Sequence, residues 1–353
     1  MKAYLEARRR DITAFLDAAL AEAETDFARV SPWGADVADR LRSFTLRGKM
    51  IRGALVGLGA QVFGAGADED VVRCGAVVEL IQSFLLIHDD IMDRDRERRG
   101  EDAVFYQYAT LAREEGIEDW YHLGEALGTC VGDVTMLFAF DLLGDLGCTE
   151  AIARRVRRLF SREITWVGLA QMSDLYYGET TRDIEESEIL DLYRYKTGRY
   201  TFSLPLAVGA TLAGRGREET SRLEDLGEKL GIIFQIKDDE LGLFGDHDRI
   251  GKPLGSDIAE NKKTLHRKLL FARAAEADRL KLASMFGAHT VSESQVELVR
   301  ALMEEYGVRQ DMERRVASWA EAAETDIESI GALPATDTSL LTELLAYNLE
   351  RNR

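Results

Sequence analysis

Proline and cysteine are scarce in this chain of 353 residues: four prolines (Pro32, Pro205, Pro253, Pro334) and three cysteines (Cys74, Cys130, Cys148). So little proline, with no Val/Ile/Thr-rich alternating runs between turn signals, disfavours sheet architectures. Three widely spaced cysteines suit neither a disulfide framework nor a zinc site, so a reducing cytoplasm is the expected location. Basic charge is in deficit, 45 Lys+Arg against 63 Asp+Glu for a formal net charge of −18, which argues against nucleic acid as a main partner. The first residues lack the apolar core of a signal peptide, and charges or amides interrupt every apolar stretch before a spanning length of about 18 residues, so no integral membrane segment is expected. Histidine is sparse too. His122, His247, His266 and His289 form no ligand spacing, and His88 beside Asp89 reads as a satisfied helix histidine that could tune a neighbouring site.

What is there is helical periodicity, at 3–27, 49–63, 69–95, 124–147, 149–178, 187–213, 219–245, 262–286, 292–328 and 338–351. The breaks at 64–66, 214–216 and 331–334 have helix-turn length and no Pro- or Ser-rich linker intervenes. The expectation is one all-α domain over 1–353, a large helical bundle. Two segments, 74–90 and 230–239, are apolar nearly all round, as helices buried inside a bundle are. Both run into paired aspartates, Asp89-Asp90 and Asp238-Asp239.

In DDIMD, Asp89 and Asp93 are four residues apart and project within about 40° of each other on a helix, with Asp90 completing an arc of about 100° and Gln82 on the same stripe. Carboxylates so close raise each other's pKa unless a cation neutralises them, and oxygen donors point to Mg²⁺ or Mn²⁺. A lone acidic cluster is more often a solvated face. At the end of an apolar helix that reading weakens, because burying an unpaired charge is expensive. Two such clusters point to a metal-bridged anionic ligand. Lys49 and Arg52, Arg98 and Arg99, Lys196 with Thr197, and the tract 251–264 supply cations at helix ends or Gly-flanked turns, where they can clamp phosphate oxygens.

In order and spacing, GKMIRG (48–53), VELIQSFLLIHDDIMDRDRERRG (78–100), HLGEALGTCVGD (122–133), AQMSDL (170–175), YKTGRYTFSLPL (195–206), FQIKDDELGLFGD (234–246), GKPLGSDIAENKKT (251–264) and LAYNLERNR (345–353) resemble the trans-isoprenyl diphosphate synthases, the head-to-tail prenyltransferases of the farnesyl and geranylgeranyl type. The resemblance spans nearly the whole chain. It implies an isoprenoid-synthase-like orthogonal bundle around a central apolar cavity, and a homodimer. It implies that Asp89, Asp90, Asp93, Asp238 and Asp239 hold about three Mg²⁺ on an allylic diphosphate. Arg98, Lys196 and Lys252 match contacts to that diphosphate; Lys49, Arg52 and Arg99, with Gln82 nearby, match the isopentenyl diphosphate pocket; Thr197, Gln235, Gln171 and Asp174 match polar positions at the reacting centre.

Three places depart from the pattern. Gly242 stands where many relatives carry a third aspartate, Met50 where many carry arginine, and 101–121 matches poorly. Phe84, five positions before Asp89, and Leu85, four before it, resemble the chain-length floor of geranylgeranyl-type enzymes, favouring a C20 product with C15 open, although a Phe on an apolar helix is usually plain core. A cyclase needs no second diphosphate pocket, which Lys49, Arg52 and Arg99 supply. A non-catalytic subunit would be expected to lose the motif aspartates.

Overall fold

A computed structural model describes residues 1–66, 68–244, 255–288 and 290–350. Among the described residues the protein is all-α apart from one short hairpin. Its helices gather into two compact units, Met1–Arg157 with Val208–Arg215, and Arg158–Ala207 with Gly216–Arg353.

The first unit contains α1 (Lys2–Ala28), α2 (Trp33–Leu46), α3 (Ile51–Gln61), α4 (Glu69–Asp93), α5 (Val104–Glu114), α6 (Trp120–Leu142) and the opening of α7 (Glu150–Glu179). Its centre is α4. Asp68 caps that helix by accepting the Val71 N–H at 2.9 Å, and Val77, Val78, Leu80, Ile81 and Ile87 are fully buried, each contributing about 1.5–3 kcal/mol. Helices α1, α3 and α6 pack around it.

By length and composition alone, α4 and α6 are long and apolar enough to cross a membrane, although charges interrupt the primary sequence. For α4, packing inside the unit accounts for that character. Helix α6 keeps Leu137 well exposed.

Helices α2 and α5 fall where no helix is expected from periodicity. Both are short, and charged or polar residues separate the buried Ala38, Leu41 and Phe44 of α2 and Phe105, Tyr108 and Ala112 of α5. After α4 comes the hairpin β1 (Glu97–Arg98) and β2 (Glu101–Asp102). Its two central residues, Arg99 and Gly100, have φ of 58° and 77°, the signature of a type I′ turn.

The second unit contains the rest of α7, α8 (Glu186–Leu192), a π-helix (Tyr193–Ser203), the start of α9 (Leu204–Leu212), α10 (Arg217–Phe244), α11 (Ser256–Ala259), α12 (Leu265–Arg273), α13 (Glu276–Met285), α14 (Glu293–Glu305), α15 (Val308–Gly331) and α16 (Ser339–Leu349). The single helix expected over 187–213 is thus α8, the π-helix and α9. That expected over 262–286 is broken at Ala274 and Ala275, whose extended backbone is held where the Ala275 N–H donates to the Tyr306 hydroxyl at 3.0 Å. The third, 292–328, is broken at Gly307, in a left-handed conformation with φ 64°.

Helix α10 crosses the π-helix at close range. A Cβ on Gly231 would lie 2.0 Å from the Gly198 Cα, so only glycine permits this approach. Helix α10 carries Gln235 and the second aspartate pair one to two turns further on. Gly231→Ala is expected to cost about 1–3 kcal/mol by overpacking, read as a lower midpoint in urea unfolding; an unchanged midpoint would mean that the crossing relaxes freely.

Candidate active site

In the first unit the acidic motif closes α4. Asp90 is fully buried, Asp89 and Asp93 are half-buried. Arg98, from the hairpin, donates through Nε to Asp90 Oδ1 at 2.6 Å, reaches Asp95 at 3.2 Å and lies 3.7 Å from Asp89. The other Asp90 oxygen, Oδ2, is buried without a hydrogen-bond partner among the described residues. Burial pushes the Asp90 carboxyl up to about 7, against the pull of Arg98.

The turn at Arg99-Gly100 sends the next arginine the other way. Arg99 donates to the Phe44 carbonyl at 2.8 Å, its guanidinium 5.2 Å from the Phe44 ring centroid. Together Arg40, Arg47, Arg98 and Arg99 line a cavity of about 440 Å³ that also includes Asp36, Glu101 and Gln107. Arg40 and Arg47 lie on or just after α2 and were missed from the sequence, because nothing there distinguishes them from ordinary surface cations. Lys49 is exposed and Arg52 half-buried at the start of α3. Between them Met50 is buried with φ 52°, an uncommon backbone for a side chain of that size.

Glu79 was missed as well. It accepts the Gly53 N–H at 2.8 Å and joins α4 to the start of α3. Burial raises its pKa and the charges of Arg52 and Arg99 oppose that rise. The available signal was a lone glutamate in an otherwise apolar run. Gln82, Phe84 and Leu85 are half-buried, in contrast to the fully buried Leu80 and Ile81. The Phe84 ring packs edge-on against His88, centroids 4.9 Å apart, and His88 Nε2 lies 3.2 Å from the Thr129 carbonyl.

In the second unit the paired aspartates lie near the end of α10, Asp238 exposed and Asp239 buried. Asp239 accepts from the Tyr193 hydroxyl and, at 2.8 Å, from Gln235 Nε2. Burial and the neighbouring Asp257 raise its pKa well above the ordinary carboxylate range. Gln235 Oε1 in turn accepts from the Thr197 hydroxyl at 2.8 Å, and Lys196 pairs with Asp174. Thus Asp174, Lys196, Thr197, Gln235 and Asp239 form two linked polar sets on α7, the π-helix and α10. Gln171 sits half-buried on α7. Tyr193, which also accepts the Leu265 N–H at 3.0 Å, was missed: a tyrosine in YRYK carries no periodic signal.

The π-helix is held by a buried charge cluster. Arg199 grips Glu163 with two bonds of 2.9 and 2.8 Å, reaches Glu224 at 2.9 Å and pairs with Glu228, its guanidinium 4.7 Å from the Trp166 ring centroid. Of the histidines, His266 is buried and pushed down to about 4 by that burial, so it is neutral near pH 7. Lys252, His247 and His289 lie outside the described residues, as do parts of the tracts 251–264 and 345–353.

Among the described residues no three His, Cys, Asp or Glu side chains enclose a metal by themselves. The donors nonetheless fit Mg²⁺, which keeps waters and shares substrate phosphates rather than demanding an all-protein cage. The partnerless Asp90 Oδ2 and the exposed Asp238 are oxygen donors of that kind.

The Polyprenyl synthetase family matches residues 36–303. The chain is 30% identical over 335 residues to a geranylfarnesyl diphosphate synthase from Aeropyrum pernix, covering 92% of this chain and 97% of that one. It is 33% identical over 261 residues to a (2E,6E)-farnesyl diphosphate synthase from Mycobacterium tuberculosis, covering 73% and 67%. Its structure matches that of a geranylgeranyl pyrophosphate synthase from Corynebacterium glutamicum, complexed with isoprenyl diphosphate and magnesium, with a TM-score of 0.88, 29% identity and 99% coverage of both chains.

Because the folded Asp90 value lies above the ordinary 3.8, folding favours its protonated form. The stability this contributes is fully present below about pH 4 and lost as pH rises through about 7. In metal-free protein, Asp90→Asn is therefore expected to melt close to wild type below about pH 4 and above it near pH 8. A difference in melting temperature that stays constant with pH would show that Asp90 is ionised throughout.

Proposed function

The chain belongs to the polyprenyl synthetase family, and we propose that it condenses isopentenyl diphosphate head-to-tail with allylic diphosphates, using Mg²⁺, to a short-chain trans-prenyl diphosphate, with C20 favoured over C15. The observation that carries this reading is Asp90, a buried carboxylate oxygen without a partner beside an arginine and two further aspartates. Mg²⁺ bound there would supply positive charge to a departing diphosphate. We assign one catalytic domain to 1–353.

In the mechanism, Asp89, Asp90 and Asp93, and in the second unit Asp238 and Asp239, would hold Mg²⁺, which would supply positive charge to the allylic diphosphate. Arg98, Lys196 and Lys252 take its oxygens and stabilise the negative charge that grows as the allylic C–O bond breaks. Lys49, Arg52 and Arg99 bind isopentenyl diphosphate, with Gln82 nearby, so that its C–C double bond attacks the allylic carbocation; Arg40 and Arg47 share the cavity with Arg99. Loss of a proton to the released diphosphate restores the alkene. The amide and hydroxyl of Gln235 and Thr197, already bonded to each other, orient the reacting centre together with Gln171 and Asp174. The reaction requires that water, which would quench the cation, be excluded from the reacting carbons.

The relatives bearing geranylgeranyl, farnesyl and geranylfarnesyl names support the short-chain class, and the half-buried Phe84 and Leu85 support a floor at that depth. A homodimer suits an apolar groove of about 660 Å³ lined by Phe27, Trp33, Val37, Leu127, Leu137 and Phe138, with Leu137 65% exposed: a second copy would cover it. Light scattering is expected to read twice the 39.5 kDa chain mass, and Leu137→Glu to halve it.

The decisive assay offers dimethylallyl, geranyl or farnesyl diphosphate in turn with isopentenyl diphosphate and Mg²⁺, and reads products by mass spectrometry. A C20 prenyl diphosphate is the expected product; cyclic hydrocarbon without elongation would make the chain a cyclase, and no turnover with any primer a partner subunit. Asp89→Ala or Asp238→Ala is expected to lower turnover by about a hundredfold or more. Phe84→Ala should lengthen the product, and an unchanged spectrum would place the floor elsewhere.

A further inference from the structure

The hairpin that carries Arg98 and Arg99 is too short to hold itself: each strand has two residues, and a two-stranded ribbon alone is marginal in water. It is held from one face of α2. Arg40, Phe44 and Arg47, on or just after that helix, lie four and three positions apart and so are neighbours. Arg47 pairs with Glu101, the first residue of β2. Phe44 receives Arg99 on its carbonyl and its ring. Arg40 reaches the other residue of β2 through a relay: its Nη1 donates to Gln107 Oε1, and Gln107 Nε2 donates to the Asp102 carbonyl at 2.7 Å. Arg40 is itself fixed by Asp36 at 2.9 Å and by the Tyr108 ring, whose centroid is 4.3 Å from its guanidinium.

The charge of each α2 arginine is already met, Arg40 by Asp36 and Arg47 by Glu101, so a phosphate could bind either only by breaking a pair. Arg99 differs. Its partners are a carbonyl and a ring, with no carboxylate at ion-pair distance among the described residues. A Cβ built on Gly48 would lie 3.5 Å from both terminal nitrogens of Arg99, so its guanidinium stands beside the residue that precedes Lys49. Arg98 is secured separately, by Asp90 and Asp95.

We propose that Arg47 and Glu101, aided by the Arg40–Gln107 relay, are positioning residues for Arg99: they clasp the hairpin to α2 and hold the Arg99 guanidinium beside Gly48 and Lys49 for the diphosphate of the attacking substrate. This rests on the prenyl-transfer reading above and deepens it. Glu101 and Gln107 both fall in 101–121, where the sequence departs from the family pattern. Because Arg98 has its own anchors, loosening the clasp weakens the binding of isopentenyl diphosphate and leaves that of the allylic diphosphate intact.

The test is steady-state kinetics of the full-length protein with Mg²⁺, varying isopentenyl diphosphate and the best of the three allylic primers in turn. Glu101→Gln and Gln107→Met are each expected to raise KM for isopentenyl diphosphate about tenfold, with kcat and the allylic KM near wild type. The melting temperature of Glu101→Gln should stay near wild type, since an ion pair open to solvent adds little stability. Arg47→Glu combined with Glu101→Arg rebuilds the clasp with its charges exchanged and is expected to recover most of the loss. If Arg47 binds the diphosphate itself, Arg47→Gln raises this KM while Glu101→Gln does not, and the exchanged pair recovers nothing; that pattern would overturn the proposal. An equal rise in both KM values, or a lower melting temperature with both unchanged, would make the pair merely structural and overturn it too. Wild-type kinetics in Glu101→Gln removes this inference alone, whereas a wild-type protein that condenses no substrate removes the reading of function with it.

Discussion

A carboxylate removed from water costs several kcal/mol unless a charge or hydrogen bonds replace its hydration, and each unit is arranged around one such group. In the first, Asp90 at the end of α4 draws Arg98 back across the hairpin and keeps one oxygen without a protein partner. In the second, Asp239 draws in Tyr193 from the π-helix and Gln235 from its own helix. The two solutions differ in kind. One leaves a donor open beside a cation; the other closes the donor and anchors a polar chain that reaches Thr197.

That polar chain depends on backbone proximity. Gly198 and Gly231 let α10 and the π-helix touch, and the buried Arg199, gripped by Glu163 of α7 and by Glu224 and Glu228 of α10, ties the wide helix to both. A buried arginine among carboxylates adds little net stability over an apolar substitute, but removing one partner strands the rest. Its service here is positional: Lys196 and Thr197 sit on the same π-helix, a geometry found often at functional sites.

Much of this was legible in the sequence and some was not. The aspartate pairs, Arg98, Lys196 and Thr197 stand out because paired charges after apolar helices and a Gly-flanked KTG are unusual patterns, whereas Gln235 is marked only by the family resemblance. Arg40, Arg47, Glu79 and Tyr193 stay silent, since each joins its site through a neighbour distant in the chain. Arg40 lies on α2, an amphipathic helix of only 14 residues, and Arg47 just after it, and neither arginine differs in the sequence from an ordinary surface cation. The break at Gly307 was written in a glycine, whereas that at Ala274 and Ala275 depends on a hydrogen bond from thirty residues away, which no local propensity records.

By itself the sequence determined the helical class, the two acidic motifs and the chemistry they favour, because periodicity and i, i+4 spacing are properties of the chain. Tertiary structure alone decided which carboxylate oxygens are open and which are engaged. It turned Arg98 and Arg99 in opposite directions through a left-handed two-residue turn. It also set Asp257 on the bare surface of Gly242. Those outcomes depend on contacts between residues far apart in sequence, where distance and burial, rather than residue type, determine the energy.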